Sequence, residues 1–487
     1  MGKDQTDPIP PVAVRDVPGW DDHADVIVVG MGCAGTCAAI EAAEAGASVL
    51  ALERADGPGG TSANSGGIIY LGGGTPIQQA CGFEDDPENM AAFLMAACGP
   101  GADHDKVSVF SEHSVNHYNW LVKHGVPFKA ELWDEPNREP STDAGLLYSG
   151  GENTWPFCEI ARPAPRGHHP QFPDSAGGFL MRCLTGALGN TSAIVRAGAR
   201  VDQLVVDEAD GDRVVGVAAR VDGQQRHLRA SRGVVLTGGG FIFNEAMAGQ
   251  WCPDALRPNP AWRIGTDYDD GQVIRLGQGA GSSTTRMSAF ECALPLLPPN
   301  RMARGLLVNT KGERYVNEDA YTGRLGYESL VGQGGDVYYI IDEHNFVVNA
   351  VGMQVQWAAE TIEELAGDIG LPPEALAATL SRYNSFARQG EDPDFHKNPE
   401  WVVPLRPPFG AADLRVGSGA VYATFTLGGL ATDARAQVCR DGGLVPGLYA
   451  AGRTAAGIAA HGYVSGISLG DGTFFGRRAG QSAAASR

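Results

Sequence analysis

Positive charge is scarce in this chain. Lys and Arg together number 37 against 57 Asp and Glu, a formal net charge of −20, so the surface field repels nucleic-acid phosphates and anionic membranes. Small or apolar molecules are the expected partners, with no nucleic acid among them. No apolar run approaches the roughly 18 residues that a membrane span needs, so no integral membrane segment is expected. The nine cysteines are an odd set, with no secretory apolar region ahead of them, no Cys-x-x-Cys pair and no Cys-x-x-Cys-His. They read as reduced thiols of a cytoplasmic protein without disulfides, zinc, cluster or attached haem.

Glycine, by contrast, is abundant. It fills 67 of 487 positions, about twice its usual share of about 7%, and it falls in discrete runs without a collagen period. Such runs fit tight backbone turns around a ligand. The length suits two or three domains at about 100–200 residues each. Residues 1–23 are polar and proline-bearing and read as a flexible leader.

Ala24 to Val29 is an apolar, β-branched run of the kind buried on both faces of a parallel sheet. Gly30 to Gly35 turns the chain, Cys33 to Ala45 reads as a helix closed by Gly46, and Ser48 to Glu53 forms a second strand. This is a βαβ unit of about 30 residues. Ala199 to Ala230 reads as a small antiparallel meander, and Gly233 to Thr237 as a separate return to the buried sheet. Within 291–411, Gly305 to Asn309 and Val337 to Ile341 look like strands, while 357–388 reads as two helices parted by Leu371-Pro372-Pro373. Pro446 to Gly452 gives a last strand and glycine turn, and Ser465 to Gly480 a final helix.

Gly30-x-Gly32-x-x-Gly35 follows a strand and opens a helix, and Glu53 stands at the next strand end, 23 residues after Gly30. In that setting the pattern marks a dinucleotide site. Side chains at the turn would hold a pyrophosphate off the backbone, and the helix start offers free N–H donors with about half a positive charge. Cys33 and Ala34 begin that helix. Glu53 is placed to accept from an adenosine ribose, and Arg54 beside it reads as a solvated residue rather than a 2′-phosphate contact. The small residues Gly59 to Gly67, among them Gly60, Thr61, Ser62, Ser65, Gly66 and Gly67, offer N–H and hydroxyl groups to a pyrophosphate and an isoalloxazine edge.

Together with Leu236-Thr237-Gly238-Gly239, with the pattern from Gly305 through Val308, Asn309, Gly312, Arg314 and Tyr315 to Glu318, and with Pro446 to Gly452, this set resembles the fumarate reductase and 3-ketosteroid dehydrogenase flavoproteins. The resemblance covers nearly the whole chain. It implies non-covalent FAD in a Rossmann-like α/β domain that is discontinuous and carries a β-meander, over 24–290 and 412–487, with an α+β catalytic cap over 291–411. It adds Gly238, Gly239, Gly452, Arg453, Ser468 and Leu469 to the residues around the cofactor.

In the fumarate reductase branch an arginine is expected near Tyr463 and an acidic residue where Arg453 stands. Tyr463-x-Ser465 together with Tyr321 instead resembles the bacterial 3-ketosteroid Δ4-(5α)-dehydrogenases, as do Gly72 to Pro76 and Tyr148 to Asn153, which are expected in the walls of the site. The resemblance implies loss of a proton from C4 and of a hydride from C5 of a saturated 3-ketosteroid, with electrons passing on to an unidentified acceptor. A free tyrosine titrates near pH 10, so a phenol acting as base needs a positive helix end or a hydrogen-bonded relay. Tyr463 is the expected base, with Ser465 and Tyr321 relaying or orienting. The alternatives are an FAD-dependent reductase of an α,β-unsaturated acid, a 3-ketosteroid Δ1-dehydrogenase, and a flavin-binding sensor without turnover. His113 and His117 have a zinc-like spacing but no third ligand, so no metal is expected. His461 reads as structural.

Overall fold

The computed structural model describes residues 5–135, 139–294, 300–347 and 353–486. Its largest sheet has nine strands. Asp22–Val29 lies at the centre, paired in parallel with Val49–Leu52 on one side and with Gln224–Leu236 on the other. Ile194–Arg196 and Gly443–Ala450 extend the parallel part. Alternation along the central strand serves two cores, because successive side chains point to opposite faces. Val26 and Val28 join one apolar cluster, Ile27 and Val29 the other, and all four are buried. Fully burying such a side chain contributes about 1.5–3 kcal/mol.

Cys33–Glu44 crosses one face of this sheet, and Gly46 at φ +84° closes the turn after it. The final helix, Ile467–Ala485, lies directly against it. A Cβ on Gly476 would sit 2.3 Å from the carbonyl oxygen of Ala34, and one on Gly480 2.2 Å from that of Ala38. Only glycine permits this approach, so the chain's last helix is seated on the turn made by its first βαβ unit.

A second, four-stranded sheet runs Leu306–Asn309, Val337–Asp342, Phe409–Asp413, Trp357–Ala359. In its central strand Tyr338 and Ile340 face the helices Ile362–Ile369 and Pro373–Ala387, whereas Val337, Tyr339 and Ile341 face the main core. The Gly305-to-Glu318 pattern acts here. Glu318 accepts from Leu307 N–H at 3.0 Å and pairs with Arg314 and Lys397, each at 2.8 Å. It is a buried staple of this sheet.

The structure departs from the sequence expectations in several places. The third meander strand and the return to the sheet are one 13-residue strand, Gln224–Leu236, whose register shifts between Ala230 and Gly233. Its first half pairs antiparallel within the meander and its second half joins the parallel sheet. Trp357–Ala359 is a strand, not helix, because it completes the second sheet beside Phe409–Asp413. The final helix starts at Ile467 rather than Ser465. Gly466 at φ +92° sets that start, and a Cβ there would meet Ile68 and Tyr70. The leader is tied down from Gln5 onward. Asn244 donates to Gln5 O, Ile9 is buried with its N–H on Arg275 O, and Val12–Ala13 pairs with Val205 and Val206. The divisions expected at 290/291 and 411/412 fall inside the strands Phe290–Ala293 and Phe409–Asp413.

Replacing Gly480 by valine is expected to lower stability by about 1–3 kcal/mol, the cost of overpacking against fixed backbone. Thermal unfolding against the parent protein measures it, and an unchanged midpoint would show that the two helices can separate freely.

Candidate active site

The turn after the central strand is built by exclusion of side chains. At Gly30, φ is +93° and a Cβ would lie 2.6 Å from Thr237 O. At Gly35 it would lie 1.9 Å from Gly30 O. Gly32 caps the helix and Cys33 N–H donates to Ser62 Oγ at 3.1 Å. Glu53 is buried, 7% exposed, with Oε2 accepting from Met31 N–H at 2.7 Å and Oε1 from Ala55 N–H at 2.8 Å. Each oxygen keeps a lone pair for a further donor.

A cavity of about 850 Å³ opens over this turn. Gly30, Gly32, Cys33, Ala34, Glu53, Arg54, Gly60, Thr61, Ser62, Ser65, Gly66, Gly67, Gly238, Gly239, Gly452, Arg453, Ser468 and Leu469 line it, together with Tyr321, Tyr463 and Ser465. Gly35 does not; it serves the close packing of helix on strand. Gly60–Ala63 is a single helical turn. Arg54 is half-buried rather than simply solvated: its guanidinium pairs with Asp270 at 2.7 Å and lies 4.3 Å over the Tyr268 ring.

Asp269, which no motif announces, ties the cavity walls together. Its carboxylate accepts from Thr61 Oγ1 at 2.5 Å and from the N–H groups of Gly240 at 2.8 Å and Thr266 at 3.1 Å, and pairs with Arg453 at 3.1 Å. A Cβ on Gly239 would sit 2.2 Å from Asp269 Oδ1. Arg453 Nη1 is buried and has no partner among the described residues, so a donor waits at the cavity wall.

Tyr463 is among the residues that line this cavity. Its ring packs edge-on to Phe425 with centroids 5.3 Å apart and lies 6.4 Å from the ring of Tyr321. Ser468 N–H, in the first turn of the final helix, points to the phenol oxygen at 3.4 Å. Burial pushes the Tyr463 phenol up to about 12, opposed by Ser468. Tyr321 donates its hydroxyl proton to Glu291 Oε1 at 3.0 Å. Glu291 also lines the cavity and was not singled out from sequence, since one acidic residue in an apolar strand carries no spacing signal. Ser465 O accepts from Ser149 Oγ at 2.9 Å.

Two segments expected in the walls lie one layer behind them. Tyr70 N–H bonds Gly466 O, and a Cβ on Gly150 would press on Val464. Neither Gly72 to Pro76 nor Tyr148 to Asn153 lines the cavity; Tyr148 to Asn153 braces the 463–466 segment, as Tyr70 does, whereas Gly72 and Gly73 donate to Ser114 and Asp85. His461 also lies off the cavity, with Nδ1 3.0 Å from Pro100 O and Nε2 3.3 Å from Ser288 Oγ. His113 is exposed while His117 is buried against Thr473 and Arg477. Among the described residues no cluster of three metal-ligating side chains occurs and no helix is long and apolar enough to cross a membrane.

The family profile described as FAD binding domain matches residues 25–469. The chain belongs to the FAD binding domain family. A solved 3-ketosteroid Δ4-(5α)-dehydrogenase from Rhodococcus jostii RHA1, in complex with 4-androstene-3,17-dione, is 47% identical, covers 98% of this chain and all of its own, and superposes with a TM-score of 0.93. A 3-oxo-5-alpha-steroid 4-dehydrogenase from Comamonas testosteroni is 29% identical over 91% of this chain and 94% of its own length. A 3-oxosteroid 1-dehydrogenase from Mycobacterium tuberculosis is 25% identical over 90% and 94%. The side-chain-free turn, the buried Glu53 and the orphan donor of Arg453 fit the family's FAD.

Glu53→Ala is expected to weaken FAD retention about tenfold or more, the loss of hydrogen bonds to a charged acceptor. Flavin content after dialysis reads it, and an unchanged content would remove Glu53 from the ribose site.

Proposed function

We infer that this protein is an FAD-dependent 3-ketosteroid Δ4-(5α)-dehydrogenase, an oxidoreductase acting on CH–CH groups. It takes a proton from C4 and a hydride from C5 of a saturated 3-ketosteroid and leaves the 4-ene-3-one. The observation that carries this reading is the phenol of Tyr463, set among Phe425 and Tyr321 in the cavity wall. An apolar ketone suits that lining. A dicarboxylate would need an unpaired cation, yet Arg54 and Arg200 are paired with aspartates, and Arg453, paired with Asp269, keeps only Nη1, the donor that fits FAD. The 47% identical relative solved with a 4-ene-3-one supports the same choice.

FAD bound in the cradle supplies the hydride acceptor. The protein supplies the rest. Tyr463 takes the C4 proton, which the neighbouring C3 carbonyl acidifies. Its buried oxygen would be a poor base alone, and the helix start behind it, through Ser468 N–H, stabilises the charge it develops. Ser465 and Tyr321 orient the phenol and pass the proton on. The discontinuous FAD domain and the sheet at 306–413 divide the work as cofactor holder and cap, and the cap carries Tyr321. All nine thiols are free, in keeping with a cytoplasmic enzyme. Its electron acceptor is left open.

Turnover of 5α- and 5β-reduced 3-ketosteroids with a dye acceptor tests the reading. Oxidation of the 5α series is expected, and failure with every saturated 3-ketosteroid would overturn it. Tyr463→Phe should lower the rate at least about 100-fold, the scale of positioned acid–base catalysis, with flavin content unchanged. A near-normal rate would take Tyr463 out of the chemistry.

A further inference from the structure

Tyr463 and Tyr321 come from parts of the chain distant in sequence, yet their rings lie 6.4 Å apart. One segment touches the supports of both. On one side Ser149 Oγ donates to Ser465 O at 2.9 Å, and a Cβ on Gly150 would lie 2.8 Å from the Val464 side chain. On the other, Gly151 at φ +78° runs against Tyr321, where a Cβ would be in contact at 3.5 Å. Trp155 O accepts from Asn317 Nδ2 at 3.2 Å and from Arg324 Nη1 at 3.0 Å. Residues 149–155 thus stand as a spacer between the loop before the final helix and the turn that carries Tyr321.

Glu152 holds that spacer from within. It is buried, 1% exposed, and Oε2 turns back on the main chain to accept from Gly150 N–H at 2.9 Å. Burial pushes its carboxyl up, opposed by Arg166, by the N–H groups of Glu152 and Gly150 and by the Tyr70 hydroxyl. Arg166 is itself fully buried and forked onto Asp85, through Nε at 2.9 Å and Nη2 at 2.8 Å, and its guanidinium lies 5.1 Å over the Phe93 ring. Phe93 stacks on Tyr70 with centroids 6.2 Å apart, and a Cβ on Gly150 would lie 3.4 Å from its Cζ. Tyr70 N–H, donating to Gly466 O, closes the frame around the turn.

Burying a carboxylate is costly even beside a cation, and an apolar side chain of similar size would fill the same volume at less cost. What the acid adds is a directed bond to one N–H. Neither Glu152 nor Arg166 is among the residues lining the cavity, so an effect of either on the reaction passes through the turn. We propose that Glu152 is a positioning residue that fixes the spacing of Tyr321 and Tyr463 through the turn 149–151. This rests on the ketosteroid reading above, in which the two phenols handle one proton. A displacement of about 1 Å in such a pair costs about 100-fold in rate.

The test measures turnover of a 5α-reduced 3-ketosteroid with a dye acceptor by the FAD-loaded proteins. Glu152→Ala should lower kcat about 10- to 100-fold with flavin content unchanged. Glu152→Gln, whose amide oxygen can still accept from Gly150 N–H, should recover most of that loss. In a Tyr463→Phe background the same Glu152→Ala change should cost less than about twofold, because residues that act as a unit are not additive. A Glu152→Ala enzyme with wild-type kcat overturns the proposal alone, as does a loss that Glu152→Gln fails to recover or that persists in full beside Tyr463→Phe. A wild type that oxidises no saturated 3-ketosteroid overturns the ketosteroid reading and this one with it. Should Glu152→Ala fail to take up FAD, Ser149→Ala replaces it: a fall in kcat of about tenfold, absent beside Tyr463→Phe, is expected, and an unchanged kcat or an undiminished fall beside Tyr463→Phe overturns the proposal.

Discussion

The seating of the final helix on the first one is the contact on which the cavity depends. Gly476 and Gly480 let the helix backbone approach the Ala34 and Ala38 carbonyls without a side chain between them. Residues more than 430 positions apart thereby share one wall. Because the two helices are fixed to each other, the start of the last one and the glycine turn of the first open onto the same space. The segment 463–466, which carries Tyr463 and Ser465, is held in place by that helix in front and by Tyr70 and Ser149 behind.

Charge inside the cavity is arranged by pairing. Asp269 binds Arg453 and draws Thr61, Gly240 and Thr266 toward one carboxylate, so three segments distant in sequence are locked by one ion. Asp270 does the same for Arg54. Such pairs cost little when each member is satisfied, whereas removing one member leaves a buried charge worth about 3–5 kcal/mol of instability. Glu291 is the exception: its hydrogen-bond partner is a phenol, and burial pushes its carboxyl up to about 8.

Much of the cofactor end was legible in sequence because its requirement is local. A turn where a Cβ would lie under 3 Å from the Thr237 or Gly30 carbonyl oxygen demands glycine at Gly30 and Gly35, and glycine at fixed spacing between a strand and a helix is visible without a structure. Tyr463, Ser465 and Tyr321 were found through family resemblance rather than spacing. Asp269 and Glu291 were not found, since each gains its meaning from strands and loops brought together by topology. The true start of the last helix depends on Gly466 meeting Ile68 and Tyr70, a contact no local pattern encodes. The docked leader was missed for a similar reason, as a proline-bearing stretch gives no sign of the groove beside Arg275 and Val205 that receives it.

The account stands on a tyrosine rather than an arginine meeting the substrate beside the flavin. Anaerobic titration of the FAD-loaded protein, following the visible flavin band, tests this most directly. A saturated 3-ketosteroid should bleach the band, and fumarate added to the chemically reduced protein should not restore it. A protein that stays yellow with the ketosteroid, yet is reoxidised by fumarate, would contradict the account.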